Sequence, residues 1–445
     1  MNPTAIEMGE NLESSKGGLT KEHETEVKDI ENEDRIFESC DINESEHDAI
    51  KGDTVGETLY SAKWILNTLI SLSQIYESGW NESIEHDLCT LWDMSAEPDI
   101  VKFLMQNDFF KMAEFTLQIS EEPRLTEIIV GIVGNMSCNS EALQSLVTSV
   151  KLVPAILSLI SSDDKETILQ VLRIIQSVIW DVQNNPESPW VETLKECKII
   201  GESIPFILTS STSEELLAST IEVVYSITEL ESDNGNILVD IFDIDQLILA
   251  LCEAMREIID QRENSHSEIQ LKCIENWLNI MFNIMKRDLL KITDDENDES
   301  FQKITSVLSQ ILSPYEIMSN MMPLEDQCAI CIHLAIKMIL SFQKCDIFPD
   351  SRLFSTIMKL MVNLSSAAEE NEFGGCDKLR SLFEYTGNYW TETLKTVGEQ
   401  KIVELLSSCD GKTTCMVLDL SKSLPGITRD SETTLAKIKF RISTS

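Results

Sequence analysis

The chain has 445 residues, and its 76 Asp and Glu against 35 Lys and Arg give a formal net charge of −41. An excess of acid on this scale repels phosphate backbones and anionic lipid surfaces, so we expect no nucleic-acid partner and no membrane partner. Only 16 glycines and 11 prolines occur, which excludes collagen-like chains and argues against turn-rich all-β folds.

The twelve cysteines are scattered, and most lie inside apolar helical patterns. A free thiol in such a pattern behaves as a small hydrophobic side chain, which is typical of proteins in reducing compartments. The first residues are acidic and contain no apolar run, so we expect no signal peptide. No window approaches the ~20 apolar residues that a membrane span needs. These features predict a protein that is not secreted.

Residues 1–57 hold 17 Asp and Glu against 5 Lys and Arg, and Phe37 is the one Phe, Tyr or Trp among them. A segment of this composition cannot bury enough apolar surface to offset the entropy of ordering it. We therefore predict a disordered acidic tail over residues 1–57, which leaves a charge of −29 on the remaining residues.

From residue 58 onward the sequence has the periodicity of helices. Residues 60–76 place Trp64, Leu69 and Leu72 at helical spacing, and similar runs follow as far as residue 441. Proline and Asn-Gly signals separate the runs, and no period-2 pattern is long enough to require a strand. The sequence predicts an all-α chain.

Three stretches, residues 117–138, 159–181 and 207–230, can be superposed as a short helix end, a polar turn and a longer amphipathic helix. The superposition places Ser177 42 residues after Asn135, and Tyr225 or Ser226 48–49 residues after Ser177. Periods of ~40–47 residues built from two or three helices indicate armadillo or HEAT repeats.

We therefore predict an armadillo/HEAT-like right-handed helical solenoid. Residues 58–240 are assigned to armadillo-type repeats, and residues 241–445 to more divergent helical repeats with acidic insertions. Each unit of such an array buries its apolar face only against its neighbours, so the chain needs no single compact core.

Residues 56–65 (GETLYSAKWI), 88–104 (LCTLWDMSAEPDIVKFL) and 123–138 (PRLTEIIVGIVGNMSC) resemble the serum amyloid A-like (SAAL) protein family. The most specific pieces are the Trp-Asp-Met-Ser run at residues 92–95 and the Gly-Asn-Met-Ser-Cys run at residues 134–138. The similarity extends over about residues 56–230. It implies an armadillo-type fold, no enzymatic activity, residence in the nucleus and a loosely defined role in promoting cell proliferation.

The family resemblance brings no catalytic residues, and the residues themselves indicate no active site. Cys328, Cys331 and His333 have the spacing of half a zinc site, but a structural zinc needs four ligands and the remaining cysteines are single. Glycine-rich phosphate loops are absent, and the five histidines are dispersed. We predict a non-enzyme with no catalytic, cofactor or metal site.

Trp92 and Ser95 lie where one helix ends and the next begins. We expect Trp92 to anchor the packing between the first repeats, and Ser95 to cap the helix that follows.

The longer helices predict a groove that binds a partner. On residues 165–181 a buried stripe includes Leu172, and the opposite side presents Gln170, Arg173, Ser177 and Asp181, with Trp180 at its edge. The equivalent positions are Glu127, Gly131, Gly134, Asn135 and Cys138 before this helix, and Ala218, Glu222, Tyr225 and Glu229 after it. The predicted partner-binding residues are Asn135, Arg173, Ser177, Trp180, Glu222 and Tyr225.

Asn135 matches the asparagine ladder with which importin-alpha proteins hold basic peptides, but Ser177 and Tyr225 or Ser226 do not, which disfavours a general import receptor. An alternative role for Asn135 is the satisfaction of a local carbonyl group.

The sequence thus predicts an armadillo-type interaction scaffold in the nucleus, and also in the cytoplasm, whose acidic surface binds a protein or peptide with a basic segment. The alternative is an armadillo-type cochaperone adaptor that promotes nucleotide release from a heat-shock chaperone. The identity of the partner, the pathway and the oligomeric state do not follow from the residues.

Overall fold

The regular structure of the chain is helical. A computed structural model describes residues 53–230, 237–259, 265–290, 299–345, 350–370 and 376–444, and no β-strand occurs in these ranges. The all-α prediction is confirmed. The predicted tail lies outside the described residues except for its last few positions, and the division into domains stays a prediction.

Twenty-two α-helices occur in the described ranges. In chain order they are α1 (Ala62–Ser73), α2 (Ile75–Ser78), α3 (Glu82–Met94), α4 (Pro98–Gln106), α5 (Phe109–Ile119), α6 (Pro123–Met136), α7 (Ser140–Val147), α8 (Leu152–Ser158), α9 (Lys165–Asn184), α10 (Trp190–Glu196), α11 (Lys198–Ser210), α12 (Glu214–Thr228), α13 (Ile237–Ile241), α14 (Ile244–Ile258), α15 (Glu268–Lys286), α16 (Glu299–Leu312), α17 (Asp326–Lys344), α18 (Ser351–Glu370), α19 (Cys376–Thr396), α20 (Glu399–Ser407), α21 (Gly411–Leu420) and α22 (Arg429–Thr444).

Two series of helices stack in chain order. Ladder A consists of α3, α6, α9, α12, α15, α17, α19 and α22, each packed against the next. Ladder B consists of α1, α5, α8, α11, α14, α16, α18 and α21, which pack in the same manner, with the 3-10 turn Leu159–Ser161 completing the contact between α8 and α11. The helices of ladder A begin 41 to 58 residues apart. Neighbour-to-neighbour stacking of this kind defines a helical repeat array of armadillo and HEAT type, as predicted.

The make-up of the repeat changes along the array. From α4 to α15 a short extra helix (α4, α7, α10 or α13) precedes each ladder B helix, so these four units contain three helices each. After α15 the units α16–α17 and α18–α19 contain two helices each, and α20 precedes the last pair. Three-helix units are typical of armadillo repeats and two-helix units of HEAT repeats.

Side-chain caps determine where many of the helices begin. The side chains of Asn139, Asp164, Ser213 and Asp243 accept hydrogen bonds from backbone N–H groups in the first turns of α7, α9, α12 and α14. At α15, Ser267 and Gln270 form a reciprocal capping box. Each cap satisfies a donor that the helix itself leaves unpaired, and so fixes the start of the helix.

The sequence prediction missed α11 because Pro205 was counted among the proline signals that separate helices. Pro205 lies inside α11, which continues from Lys198 to Ser210. Proline removes only one hydrogen bond, and the packing of α11 against its ladder B neighbours outweighs that loss. Four residues earlier, Gly201 lies so close to α13 that a Cβ atom there would overlap the carbonyl oxygen of Ile241.

No described helix is both long enough and apolar enough to cross a membrane alone, although the bent pair Ser140–Val147 and Leu152–Ser161 meets the length and composition criteria jointly.

Candidate functional site

The two sequence runs that carry the family resemblance meet in space. Trp92, near the end of α3, packs over Gly131 of α6, where a Cβ atom would overlap ring atoms Cε2 and Cζ2 of the indole. One turn further along α6, Gly134 lies against Ile174 of α9. The prediction that Trp92 anchors the packing of the first repeats is confirmed.

The prediction that Ser95 caps the next helix is wrong. Ser95 is the last residue of the turn that ends α3, and its buried hydroxyl donates to the carbonyl oxygen of Trp92 at 2.6 Å. Helix α4 begins instead with Pro98 in its first turn, after Glu97, which makes no side-chain cap. Proline is favoured there because its missing N–H and fixed φ suit the first helical position.

Asn135 joins three ladder A helices. Its Nδ2 group donates to the carbonyl oxygen of Trp92 at 2.9 Å and to Oγ of Ser95 at 3.0 Å. Its Oδ1 accepts from Nη2 of Arg173 at 2.9 Å. Both amide hydrogens of Asn135 are therefore used within the fold, as the alternative role for this residue supposed, and neither is left for a bound peptide.

Three predicted groove residues lie together on α9. The Arg173 side chain is exposed and bonds to Gln170 at 2.6 Å as well as to Asn135. Ser177 donates to the Arg173 carbonyl at 3.2 Å, and Trp180 is 62% exposed. Exposure of a tryptophan to this extent is unusual, because its ring is the largest apolar side chain. The contribution of these residues to partner binding stays a prediction.

The predicted exposed face of α6 is wrong at three of its five positions. Glu127, Gly131 and Gly134 are buried, and Asn135 is half-buried. The reason is that α6 is covered by α3 on one side, by α9 on the other and by α5 of ladder B. Cys138, just beyond the end of the helix, is exposed.

Many acidic residues at the starts of ladder A helices are neutralised within the protein. Arg124 of α6 pairs with Glu85 of α3 at 3.1 Å and with Glu127 at 2.7 Å. Lys165 of α9 pairs with Glu215 of α12 at 2.8 Å. The bridges of Arg124 to Glu85 and of Lys165 to Glu215 connect successive helices, so the carboxylates of these pairs are already neutralised within the protein.

The carboxylates around Tyr225 are different. Glu222 and Glu229 are exposed, Tyr225 is half-buried between them, and Glu275 of α15 lies close enough to act on the tyrosine. Burial raises the pKa of Tyr225, and the charges of Glu229 and Glu275 raise it further. In the part of the chain that the structure describes, no Lys or Arg lies within ion-pair distance of Glu222, Glu229 or Glu275. We call these four residues the Tyr225 patch.

Polar contacts tie the Tyr225 patch to the helices on both sides. Gln176 of α9 donates to Oγ of Ser226 at 2.7 Å. Asn283 of α15 donates to Glu229 and, at 3.0 Å, to Thr228. Because these bonds join the three helices, the positions of the carboxylates are fixed by the stacking of the repeats.

Further along ladder A, sequence reasoning missed a cationic and aromatic region. Nζ of Lys337 on α17 lies 5.0 Å above the ring centroid of Phe282 on α15. His333 meets the ring of Tyr385 on α19 edge to face, with centroids 4.4 Å apart. The helical spacing of these residues was visible in the sequence, but the irregular period beyond residue 240 concealed which faces would align.

The half zinc site of the sequence is built into the core. Cys331 is buried and its Sγ contacts the carbonyl oxygen of Leu271 at 3.5 Å, while His333 points towards Tyr385. Across the described ranges, no group of three or more His, Cys, Asp and Glu side chains could hold a metal ion.

A two-ladder helical repeat array with an uncovered polar face is the architecture of proteins that bind other proteins. Among curated proteins, the chain is similar to protein saal1 of Danio rerio, with 31% identity over 215 residues, and to protein SAAL1 of Homo sapiens, with 32% identity over 194 residues. The alignments cover 41% and 40% of this chain. The resemblance to the SAAL proteins is therefore confirmed over this part of the sequence.

The chain spans less than half the length of these relatives, 45% of the zebrafish protein and 40% of the human one. No protein-family model matches the sequence. Among solved structures, a designed armadillo repeat protein aligns with a TM-score of 0.39 and 16% identity, over 60% of this chain and 98% of the designed one. The structure of SYS-1 aligns with a TM-score of 0.40 and 10% identity, over 84% of this chain and 72% of SYS-1.

Proposed function

We propose that the protein is a non-enzymatic scaffold that binds a basic segment of a partner protein on the exposed side of ladder A. The observation that carries the proposal is the Tyr225 patch, in which Glu222 and Glu229 lie one turn to either side of Tyr225 of α12 and Glu275 of α15 acts on the same ring, all three carboxylates without ion-pair partners among the described residues. A lysine or arginine placed there gains both charge pairing and contact with the face of the ring.

Single contacts of this type are weak. An exposed ion pair contributes about 0.2–1 kcal/mol, and a cation over an aromatic ring about 0.5–1 kcal/mol. Micromolar affinity corresponds to about 8 kcal/mol, so the partner segment must contact several repeats. An array in which each helix presents its face beside the next provides such an extended surface.

Binding of a labelled lysine- and arginine-rich peptide, followed by fluorescence anisotropy, tests the proposal. We expect affinity to fall between about 0.05 M and about 0.5 M NaCl, because salt screens exposed charges. The triple variant E222Q/E229Q/E275Q should lose binding. The matched control E187Q/E196Q/E257Q removes three exposed carboxylates that lie outside the ladder A helices and should retain it. Equal loss in both variants, or salt-insensitive binding, would contradict the proposal.

The resemblance to the SAAL family supports two further parts of the proposal, residence in the nucleus and a role in promoting cell proliferation. Imaging of the tagged full chain in cultured cells tests the first, and growth measurements after depletion and re-expression test the second. Re-expression of E222Q/E229Q/E275Q should fail to restore growth if the Tyr225 patch is the functional surface. Acceleration of nucleotide release from a heat-shock chaperone would instead favour the cochaperone adaptor.

A further inference from the structure

We infer that the binding surface continues from the Tyr225 patch to Lys337, and that it recognises a segment with a basic residue at one position and an acidic residue about three positions away. The inference rests on the proposed function and specifies the chemistry of the partner. It follows from the contacts that join α12, α15 and α17, from the change of charge along ladder A and from the spacing of the helices.

The surface is continuous from the Tyr225 patch, its acidic pole, to Lys337, its basic pole. Glu275 of α15 acts on Tyr225 of α12 and accepts a long hydrogen bond, 3.5 Å, from Gln327 of α17. Two turns along α15, Phe282 lies beneath the ammonium group of Lys337. Helix α15 thus contributes a carboxylate to the acidic pole and a ring to the basic pole.

The charge reverses between these helices. Helix α12 contains Glu214, Glu215 and Glu222 and no Lys or Arg, and of these Glu215 pairs with Lys165 of α9. Helix α17 contains Lys337 and Lys344 against one acid, Asp326, and that acid pairs with Lys378 of α19. In a chain with more than twice as many acids as bases, an excess of base on one ladder A helix is a local feature with its own partner preference.

Lys337 is available for a partner. It is exposed, and no carboxylate lies within ion-pair distance of it in the described ranges. Its position over Phe282 holds the ammonium group in place, which lowers the entropy lost when a carboxylate binds. A glutamate or aspartate of the partner is the complementary group.

The distance between the poles sets the spacing of the motif. Packed helices lie about 8–10 Å apart, and an extended chain advances about 3.3–3.6 Å per residue. Asn283, the neighbour of Phe282 on α15, bonds to Glu229, so Glu229 and Lys337 lie at about the same level along that helix. One step along ladder A, from the α12–α15 junction to the α15–α17 junction, therefore corresponds to about three residues of an extended peptide. A basic residue on the α12–α15 side and an acidic residue on the α15–α17 side should stand in the relation Lys-x-x-Glu, in one of the two chain directions.

The probes are two forms of the lysine- and arginine-rich peptide of the proposed function, which already contacts several repeats, each with one glutamate placed as Lys-x-x-Glu or as Glu-x-x-Lys. The tighter of the two orders gives the direction and is used with the variants. Against this peptide, K337E should weaken binding by about three- to tenfold, since an attractive exposed pair becomes a repulsive one. Replacing the peptide glutamate with lysine should restore affinity for K337E and reduce it for the unmodified protein.

The matched control is K102E, which reverses an exposed lysine on α4, outside both ladders, and should leave all affinities unchanged. The thermal melt of K102E should coincide with that of the unmodified protein, and K337E should melt only slightly lower, since it loses one exposed cation–ring contact. If the peptide with Gln in place of Glu binds as tightly as the original, and K337E has no effect, the inference is wrong while the proposed function stands. If neither peptide binds the unmodified protein, or if E222Q/E229Q/E275Q binds both peptides as tightly as the unmodified protein does, the proposed function itself fails.

Discussion

The indole of Trp92 occupies the space that a side chain at Gly131 would fill. The two residues come from two of the sequence runs that carry the family resemblance, residues 88–104 and 123–138. Helices α3 and α6 approach closely because one of them lacks a Cβ atom at the point of contact.

The first prediction concerns Gly131→Ala. Although alanine favours a helix over glycine, the methyl group must displace the Trp92 ring, and overpacking of this kind costs about 1–3 kcal/mol. Urea denaturation should therefore show lower stability. Gly398→Ala is the matched control, since no atom lies within 4 Å of a Cβ built there. If Gly131→Ala is as stable as the unmodified protein, the tight contact does not exist; combining it with Trp92→Phe should restore part of the loss.

The second prediction concerns Asn135. Asn135→Ala leaves the Trp92 carbonyl and the buried Ser95 hydroxyl with one partner fewer, and should cost about 1–3 kcal/mol of unfolding free energy. Arg173→Ala should cost less than about 1 kcal/mol, because Arg173 is exposed and Asn135 keeps its other two bonds. A double-mutant cycle measures the coupling between the two residues. A larger loss for Arg173→Ala than for Asn135→Ala would reverse this assignment.

The thiols provide a third prediction. Burial raises the pKa values of Cys252, Cys273 and Cys331 to about 12, so almost none of each is thiolate at neutral pH. Cys138 and Cys415 are exposed. Cys345 is exposed as well, so alkylation of the native protein at neutral pH, read by peptide mass spectrometry, should modify Cys138, Cys345 and Cys415 before the three buried cysteines, which should react only after denaturant is added. Early labelling of Cys252 would show that ladder B opens at α14.

The fourth prediction concerns acid. Burial and the nearby Lys337 lower the pKa of His333 below its ordinary value, so the folded protein binds this proton less readily than the unfolded chain does. The protein therefore has its full stability above the ordinary histidine pKa, and it loses stability as the pH falls from there through the lower pKa of His333 in the folded state. His333→Gln should lose less stability than the unmodified protein between about pH 7.5 and about pH 5.5. The exposed His86 is the control, and His86→Gln should follow the unmodified protein.

The helical repeats could be predicted from the sequence because they rest on local patterns, and the anchoring role of Trp92 followed from its place at a helix end. Leu172, Ile175 and Ile179 are buried as their spacing indicates. The burial of Gly131 and Gly134 could not be read in this way, since it depends on how close the neighbouring helices come. The role of Ser95 was misread because a helix end and a helix start share the same residue types.

The second half of ladder A was harder to predict for a related reason. Asn135, Ser177 and Tyr225 are separated by nearly constant steps, so their helices could be aligned in sequence. Successive ladder A helices then begin up to 58 residues apart, and connecting segments of unequal length intervene. Without a constant period, the placement of Glu275, Phe282 and Lys337 on one surface required the structure.

The neighbour-to-neighbour stacking of the ladders has a consequence for detection of the partner. In an array of this type, stability is close to a sum of terms for each unit and for each junction between units, and the ends open more easily than the middle. A segment bound across α12, α15 and α17 adds stability to those junctions alone. Amide hydrogen exchange should then slow within these three helices while α3 and α22 keep their unbound rates, so that the pattern of protection along the chain would map the partner's footprint.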